Sequence, residues 1–484
     1  LNTASATINT HTTLKEQLNC LQKDFTQLRQ SYKNETYPSE QKRRLLLNSL
    51  KKSLLENEQA IYNALKIDYG YRSEFDTLIG ELIPSIANIN YTLKKLKRWM
   101  KSSKRHAGLL LFPSSVHVHI QPLGVIGVIV PWNYPVFLSL VPVITALAAG
   151  NKVMVKMSEY TPATNKVIKQ LLACIADDVV IVEGESEISA AFSALPFDHL
   201  LFTGSTQVGK HVARAAANNL TPITLELGGK SPLIIDASAN LKIAVDAVIL
   251  GKVMNAGQIC IAPDYILLPV GLQQDFIDLF KTRFLEYYKT SADGVNPANS
   301  LTHIIDDKHA LRLSAYIDDA IDKGAVVHTI QEDAVASPFK LQQPLLITNV
   351  NDSMEVMKNE IFGPLLPIIT YDNIDEAIAF VNAKPRPLAL YVMSSDADNI
   401  NKVLVQTHSG GVCVNDALMH IVAEDAPFGG IGQSGMGHYH GEEGFRTFSK
   451  EKTVLVSSSY LPKNKIMLKY RDRITPLLRA IFLR

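Results

Sequence analysis

Apolar positions in the first hundred residues recur at steps of three and four. Leu14, Leu18, Leu21, Phe25 and Leu28 mark one helical face, and Leu47, Leu50, Leu54 and Leu55 mark a second. Pro38-Ser39-Glu40 separates them with a helix-start signal. A third helix is predicted from Phe75 through Trp99, bent at Pro84, so the chain reads as helical from Leu14 to Lys104. The basic runs Lys94–Arg98 and Lys101–Arg105 end this pattern as a solvated face.

The period then changes to two. Val116-His-Val-His-Ile120 alternates as a half-exposed strand should, and Gly124–Val130 is a short buried strand. Strand and helix patterns alternate from there: strand Asn151–Lys156, helix Thr161–Ala176, strand Val179–Val182, strand His199–Thr203, helix Val208–Asn218. A second series follows Gly228-Gly229, with strand Pro232–Ile235, helix Leu241–Val253, strand Tyr265–Leu268 and helix Gln273–Lys289. Helix His309–Lys323 and strands Leu388–Met393 and Gly411–Val414 continue it. The alternation predicts an α/β fold in two halves, each a largely parallel sheet with helices on both faces. Thr453–Ser457 alternates again and is a candidate strand partner for Val116–Ile120.

Composition narrows the function classes. The 484 residues are 46% hydrophobic and 20% charged, enough for two or three domains of ordinary globular character. A formal net charge of +1 supplies no bulk field, so no nucleic-acid partner is expected. The cysteines Cys20, Cys174, Cys260 and Cys413 are scattered without pairing or ligand spacing, which fits free thiols in a reducing, cytoplasmic setting. His438-Tyr-His440 invites a metal reading, but nothing there has helical ligand spacing, so no metal is expected. The most apolar stretch is broken by Pro131, Asn133 and Pro135, and no membrane span is expected. Leu1–Thr13 is polar, unlike a secretory signal. The tail Ile474–Arg484 mixes apolar residues with arginines; packing on a partner surface is expected, with weak membrane contact as the alternative.

Two islands carry the candidate chemistry. Ile223-Thr-Leu-Glu-Leu-Gly-Gly-Lys230 sets the carboxylate of Glu226 in an apolar run, where its pKa should rise towards that of a base working near neutral pH. Gly257-Gln-Ile-Cys-Ile-Ala262 sets the thiol of Cys260 between two isoleucines; it reads as a nucleophile or as a small buried hydrophobe. Leu200–Lys210 runs from a strand through a glycine turn into a helix, a geometry that suits a pyrophosphate. Gly204 and Gly209 stand five apart, which departs from the usual dinucleotide fingerprint and also fits an ordinary tight turn. Lys156 and Glu159 follow another strand, either bracketing a ribose or standing as a solvated pair. Pro131-Trp-Asn-Tyr-Pro135 reads as a rigid turn, and Glu360-Ile-Phe-Gly-Pro364 as a helix end stopped by Gly-Pro.

In this order, from about Pro122 to Val454, the islands resemble the NAD(P)-dependent aldehyde dehydrogenase superfamily. Ile261-Ala-Pro-Asp-Tyr265 and the run Pro427–Gly441 resemble its class 3-like branch, which includes the bacterial coniferyl aldehyde dehydrogenases. The resemblance implies Cys260 as nucleophile, Glu226 as the base that activates water, and Asn133 as an oxyanion donor together with the Cys260 amide. It implies a cofactor, NAD with NADP possible, held by Trp132, Lys156, Glu159, Gly204, Ser205, Gly209, Leu227, Gly228, Glu360 and Phe362. Met157 stands where the family has proline, and Lys469-Tyr-Arg-Asp replaces a Tyr-Pro-Pro-Tyr run in the tail.

The implied organisation is a Rossmann-like cofactor domain (1–112 and 124–228), an α/β catalytic domain (229–425), bridging segments (113–123 and 440–460) and a tail (461–484). The bridging segments imply a homodimer. The implied reaction is oxidation of a small-molecule aldehyde, aromatic or phenylpropenal or else medium-chain aliphatic, to the acid through a thioester. Tyr134, Phe137, Tyr439 and Phe445 are candidate entrance aromatics, and Gly429–Gly444 reads as a flexible loop near the substrate mouth. The rival readings are transfer of the thioester to coenzyme A, which would need no water-activating base, and a catalytically silent homologue.

Overall fold

The computed structural model describes residues 13–288, 301–330 and 343–483. The N-terminal residues before Thr13, the predicted helix end at Lys289 and the terminal Arg484 lie outside the described residues. Helix Leu14–Asn34 opens with a capping box built by Thr13 and Glu16. Leu21, Phe25 and Leu28 are buried, whereas Leu14 and Leu18 stay exposed because only the later turns reach the core. Phe25 meets Phe197 edge-on at a ring separation of 5.2 Å, fixing this helix to the first α/β layer.

Helices Glu40–Glu56, Glu58–Tyr69, the short Glu74–Thr77 and Ile83–Trp99 follow. At the bend expected near Pro84 the helix instead passes through a π-helical turn at Leu78–Leu82, and Pro84 is the second residue of the segment that follows it. Ser103–Arg105 corrects the helical reading of the basic run, since it is a strand paired with Val116–Val118.

The first large sheet has the spatial order Gly435–Met436, Ile223–Leu227, His199–Gly204, Val125–Ile129, Lys152–Lys156, Val179–Val182. All its pairings are parallel except that of the two-residue edge strand Gly435–Met436. The wholly buried helix Pro135–Ala149 packs against it, which explains why that segment is apolar all round.

The chain passes through Gly228–Ser231 into a seven-stranded sheet. Its order is Val326–His328, Leu345–Thr348, Leu365–Tyr371, Tyr265–Pro269, Pro232–Ile235, Ala389–Met393, Gly411–Val414, parallel after the first pair. Strands Leu345–Thr348 and Leu365–Tyr371 and helices Ile374–Asn382 and Ala397–Gln406 complete this half and were not evident in the apolar periodicity.

The third sheet is antiparallel. Ser449–Val456 pairs along Ser115–Pro122 with Thr453 opposite Val118, so the two distant alternating segments do meet. The glycine-rich run is not a loop throughout. Gly435 is hydrogen-bonded in register opposite Glu226, and Gly441–Thr447 is helical. No described helix is long and apolar enough to cross a membrane, and the tail forms two exposed helices, Lys463–Lys469 and Arg471–Phe482.

Candidate active site

Cys260 sits just beyond an unusual turn. Asn255, Ala256 and Gly257 take φ values of 51°, 54° and 69°, so three consecutive residues are left-handed. Non-glycine residues there cost about 1–2 kcal/mol each, and surrounding contacts must hold them. Asp76 accepts the Asn255 N–H at 3.0 Å, and the Asn255 side chain donates to the carbonyls of Asn133 (3.1 Å) and Gln258 (3.2 Å). The Gln258 side chain donates to the Asn255 and His303 carbonyls and accepts from the Ile305 amide. The partly exposed thiol therefore stands on a loop tied from several directions. Burial, with the Glu360 and Glu226 carboxyls nearby, pushes the Cys260 thiol far above its ordinary pKa, so the resting group is protonated.

Asn133 follows the buried strand Val125–Ile129 and is itself buried. Its side-chain amide donates to Gln258 O at 3.1 Å. Its own carbonyl accepts from Tyr69 Oη (2.9 Å), Arg72 Nη1 (2.8 Å) and Asn255 Nδ2 (3.1 Å). Arg72 is fully buried and ion-paired with Glu81 at 3.3 Å, while Glu81 also accepts the Phe137 amide at 2.7 Å. Burial raises Glu81 to about 7 against the pull of Arg72. Sequence reasoning missed Asp76, Arg72 and Glu81. Arg72 stands in the loop before Glu74–Thr77, Asp76 within that short helix and Glu81 in the turn Leu78–Leu82, and nothing in these local settings reveals what the side chains hold.

Glu226 lies on Ile223–Leu227, opposite Thr203 on one side and Gly435 on the other. It is buried, neither carboxyl oxygen has a hydrogen-bond partner among the described residues, and burial raises its pKa well above the ordinary value. The apolar setting read from the sequence is present.

Asn133, Glu226 and Cys260 line one cavity of about 630 Å³ with Trp132, Gly204, Ser205, Gly228, Glu360 and Phe362. The Trp132 ring stands 5.3 Å from that of Phe362, edge to face. Gly204 ends its strand, and Ser205 caps helix Thr206–Ala217 by accepting the Val208 amide at 3.4 Å, which leaves its hydroxyl hydrogen free to donate. A side chain at Gly228 would collide with the Glu360 carboxylate, whose Oε1 is buried without a partner. Burial lifts Glu360 to about 8.

This lining has what a dinucleotide needs: a helix N-terminus for pyrophosphate, an unpaired acceptor for a sugar hydroxyl and flat aromatic walls. Lys156, Glu159, Gly209 and Leu227 do not line that cavity. Lys156 is buried at a strand end and donates to Met157 O at 2.7 Å, with the exposed Glu159 carboxylate 3.9 Å away. Gly209 packs on Leu227 behind the phosphate-type turn. Phe445, read as an entrance aromatic, instead packs on Trp99 at 5.5 Å because its helix joins the N-terminal helices. Among the described residues no group of three His, Cys, Asp or Glu could hold a metal ion.

Residues 28–454 match the model of the aldehyde dehydrogenase family. A probable coniferyl aldehyde dehydrogenase of Pseudomonas aeruginosa is 47% identical over 472 residues, covering 97% of this chain and 98% of that protein. Among solved structures, Staphylococcus aureus AldH in a substrate-bound state superposes with a TM-score of 0.85 at 36% identity, covering 94% of this chain and 99% of that one. A Mycobacterium tuberculosis aldehyde dehydrogenase complexed with NAD+ gives 0.82 at 28% identity, covering 92% and 91%.

Proposed function

The chain belongs to the aldehyde dehydrogenase family, and within it we propose an NAD-preferring enzyme for phenylpropenals and related aromatic aldehydes, acting through Cys260. That it oxidises aldehydes to carboxylic acids with a nicotinamide cofactor follows from the family. The observation that carries the assignment of residues is the single cavity shared by Asn133, Glu226, Cys260, Glu360 and Phe362.

The Cys260 thiol gives up its proton to solvent, and the resulting thiolate attacks the aldehyde carbon. The developing oxyanion takes the second N–H of the Asn133 side chain and the Cys260 amide, donors aimed at charge that appears only in the transition state. Loss of hydride from the tetrahedral adduct, for which a bound nicotinamide would supply the acceptor, leaves a thioester on Cys260. Gly204 and Ser205 at the helix start would hold the cofactor's phosphates, Lys156 and Glu159 its adenosine ribose, and Glu360, Trp132 and Phe362 the nicotinamide end. Gly209, Leu227 and Gly228 shape the backbone beneath. The thioester is then hydrolysed as Glu226 takes a proton from water, the acid leaves, and the thiol is restored. A water-activating base beside the thiol supports hydrolysis over transfer to coenzyme A.

Preference for NAD rests on Glu159, which would face the extra phosphate of NADP with like charge. The substrate class rests on the similarity to a probable coniferyl aldehyde dehydrogenase. A cytoplasmic homodimer joined through the bridging segments 113–123 and 440–460 fits the exposed edge residues Leu455 and Val456. The same reading assigns 1–112 and 124–228 to the cofactor and 229–425 to catalysis.

The test compares kcat/KM for cinnamaldehyde-type, benzaldehyde-type and C6–C10 aliphatic aldehydes with NAD and NADP. An aromatic or α,β-unsaturated aldehyde should be used at least as well as hexanal, with NAD equal or better. A strong preference for a small charged semialdehyde defeats the substrate assignment and leaves the chemistry standing.

A further inference from the structure

Asp264 stands four residues after the Cys260 thiol and is buried to 3% exposure. Its Oδ1 accepts the Ile361 amide at 2.9 Å. Its Oδ2 pairs with the Lys230 ammonium, which also donates to the carbonyls of Val356 (2.8 Å) and Asn359 (2.9 Å). The Asp264 amide donates to Ser231 O at 2.8 Å, and the carbonyl before it, Pro263 O, accepts from the buried Lys252 ammonium at 3.0 Å. One firmly held carboxylate thus joins three segments: that of the thiol, that of the base Glu226, which ends at Lys230, and that of Glu360 and Phe362.

The third of these segments is strained. Phe362 has a φ of 47°, a left-handed conformation that costs a non-glycine residue about 1–3 kcal/mol. Ile361 lies between the two residues that line the cavity, Glu360 and Phe362. Arg312 grips the same stretch, donating to Ile361 O at 2.8 Å and to the Glu360 and Phe362 carbonyls at 3.4 Å. The Ile361 residue is therefore held at its N–H by an anion and at its C=O by a cation. Two glycines mark how closely the segments run: a side chain at Gly257 would meet Gly363 O, and one at Gly228 would meet the Glu360 carboxylate. Neutralising Lys230 would need only one Asp264 oxygen; the other is given to the amide that sets Glu360 and Phe362.

We propose that Asp264 is a positioning residue for the hydride step: by holding the Ile361 amide it aims Glu360 and Phe362, and through them the nicotinamide end, at the carbon carried by Cys260. In that step the C–H bond of the tetrahedral adduct breaks and its electron pair reduces the nicotinamide, while the oxyanion's electrons re-form the carbonyl of the thioester. Misplacement by about 1 Å costs such a step on the order of 100-fold. Thiol attack and water activation use Asn133 and Glu226, whose side chains make no bond to Asp264. The inference rests on the reading above of Cys260 as nucleophile and of Glu360 and Phe362 as the nicotinamide contacts.

The experiment makes three measurements on the wild type, Asp264→Ala and Asp264→Asn. The first is NADH formation in a single turnover of cinnamaldehyde or hexanal, whichever the wild type uses better. The second is hydrolysis of 4-nitrophenyl acetate without cofactor, in which Cys260 takes the acetyl group, 4-nitrophenolate leaves and Glu226 activates the water, with no hydride moved. The third is NAD affinity by calorimetry. Asp264→Ala should slow NADH formation about 100-fold, with a primary isotope effect when the aldehyde carries deuterium on its carbonyl carbon. Ester hydrolysis and NAD affinity should change little. Asp264→Asn offers one oxygen to two donors and should be slowed about tenfold, the size of one hydrogen bond. Ester hydrolysis or NAD affinity falling in step with NADH formation overturns the proposal, as does an unchanged NADH rate or a slowed one without the isotope effect. If the alanine variant does not fold, a full NADH rate in Asp264→Asn overturns it instead. NADH formation that survives Cys260→Ala defeats the underlying reading of the thiol, an outcome separate from all of these.

Discussion

The side-chain amide of Asn133 donates to the carbonyl of Gln258 at 3.1 Å, two residues before the Cys260 thiol. One of its two N–H bonds is thereby fixed on the nucleophile loop, and the direction of the other follows from the planarity of the amide. The donor and the thiol are set by the same bond, so displacing either end should be felt at the chemistry.

Arg72 holds the other end of Asn133 through its carbonyl. Arg72→Met should lower kcat for aldehyde oxidation by about 10- to 100-fold, in the range of a lost oxyanion donor. Alkylation of Cys260 by iodoacetamide builds no oxyanion and should change far less. If alkylation and turnover fall together, Arg72 serves the fold and not the donor.

The resting thiol is protonated because burial and two neighbouring carboxyls raise its pKa. The reactive thiolate is then a small fraction that grows with pH. Without cofactor, alkylation of Cys260 should speed up about tenfold per pH unit from 7 to 9. A plateau below pH 8 would reveal an already ionised thiol.

Glu226 titrates well above its ordinary value in the folded protein. Between the unfolded and folded values the native state keeps a proton that the unfolded chain has lost, so its contribution to stability declines as pH rises. Glu226→Gln removes that dependence and should be more stable than the wild type by about 1–3 kcal/mol at pH 8, with a smaller gap at pH 5. Denaturant unfolding at the two pH values checks both size and sign.

The buried histidines act in the opposite direction. Burial lowers His199 and His420 to about 4 and, with His438 nearby, His440 to about 3. The unfolded chain binds protons that these sites refuse, so stability present above pH 6.5 is lost as pH falls towards 4. Thermal unfolding should show this acid loss, reduced in His199→Gln, which retains a partner for the Thr224 hydroxyl now 2.9 Å from the ring.

Periodicity revealed the two α/β halves because buried parallel strands and amphipathic helices leave strong local signals. It even matched Thr453–Ser457 to Val116–Ile120 across more than three hundred residues, since both segments alternate, and the structure sets Thr453 opposite Val118. Strands such as Leu365–Tyr371 were missed: Pro367 interrupts the run, although its neighbours complete the ladder with Tyr265–Pro269. Cys260 and Glu226 stood out because their neighbours are apolar and glycine-rich. Arg72, Glu81 and Asp76 did not, because a buried charge is defined by partners far away in sequence, here Asn133, Phe137 and Asn255. His440 entered the sequence reading only as a failed metal ligand; its lack of a hydrogen-bond partner among the described residues is a tertiary fact.

The central claim is a thioester on Cys260 released by Glu226. Its most direct test is mass spectrometry of Glu226→Gln quenched after one turnover with NAD and cinnamaldehyde. The account predicts one acyl group on the peptide containing Cys260, close to one NADH per active site, and little further turnover. NADH formed without an acyl adduct, or an adduct on Cys20, Cys174 or Cys413, would contradict it.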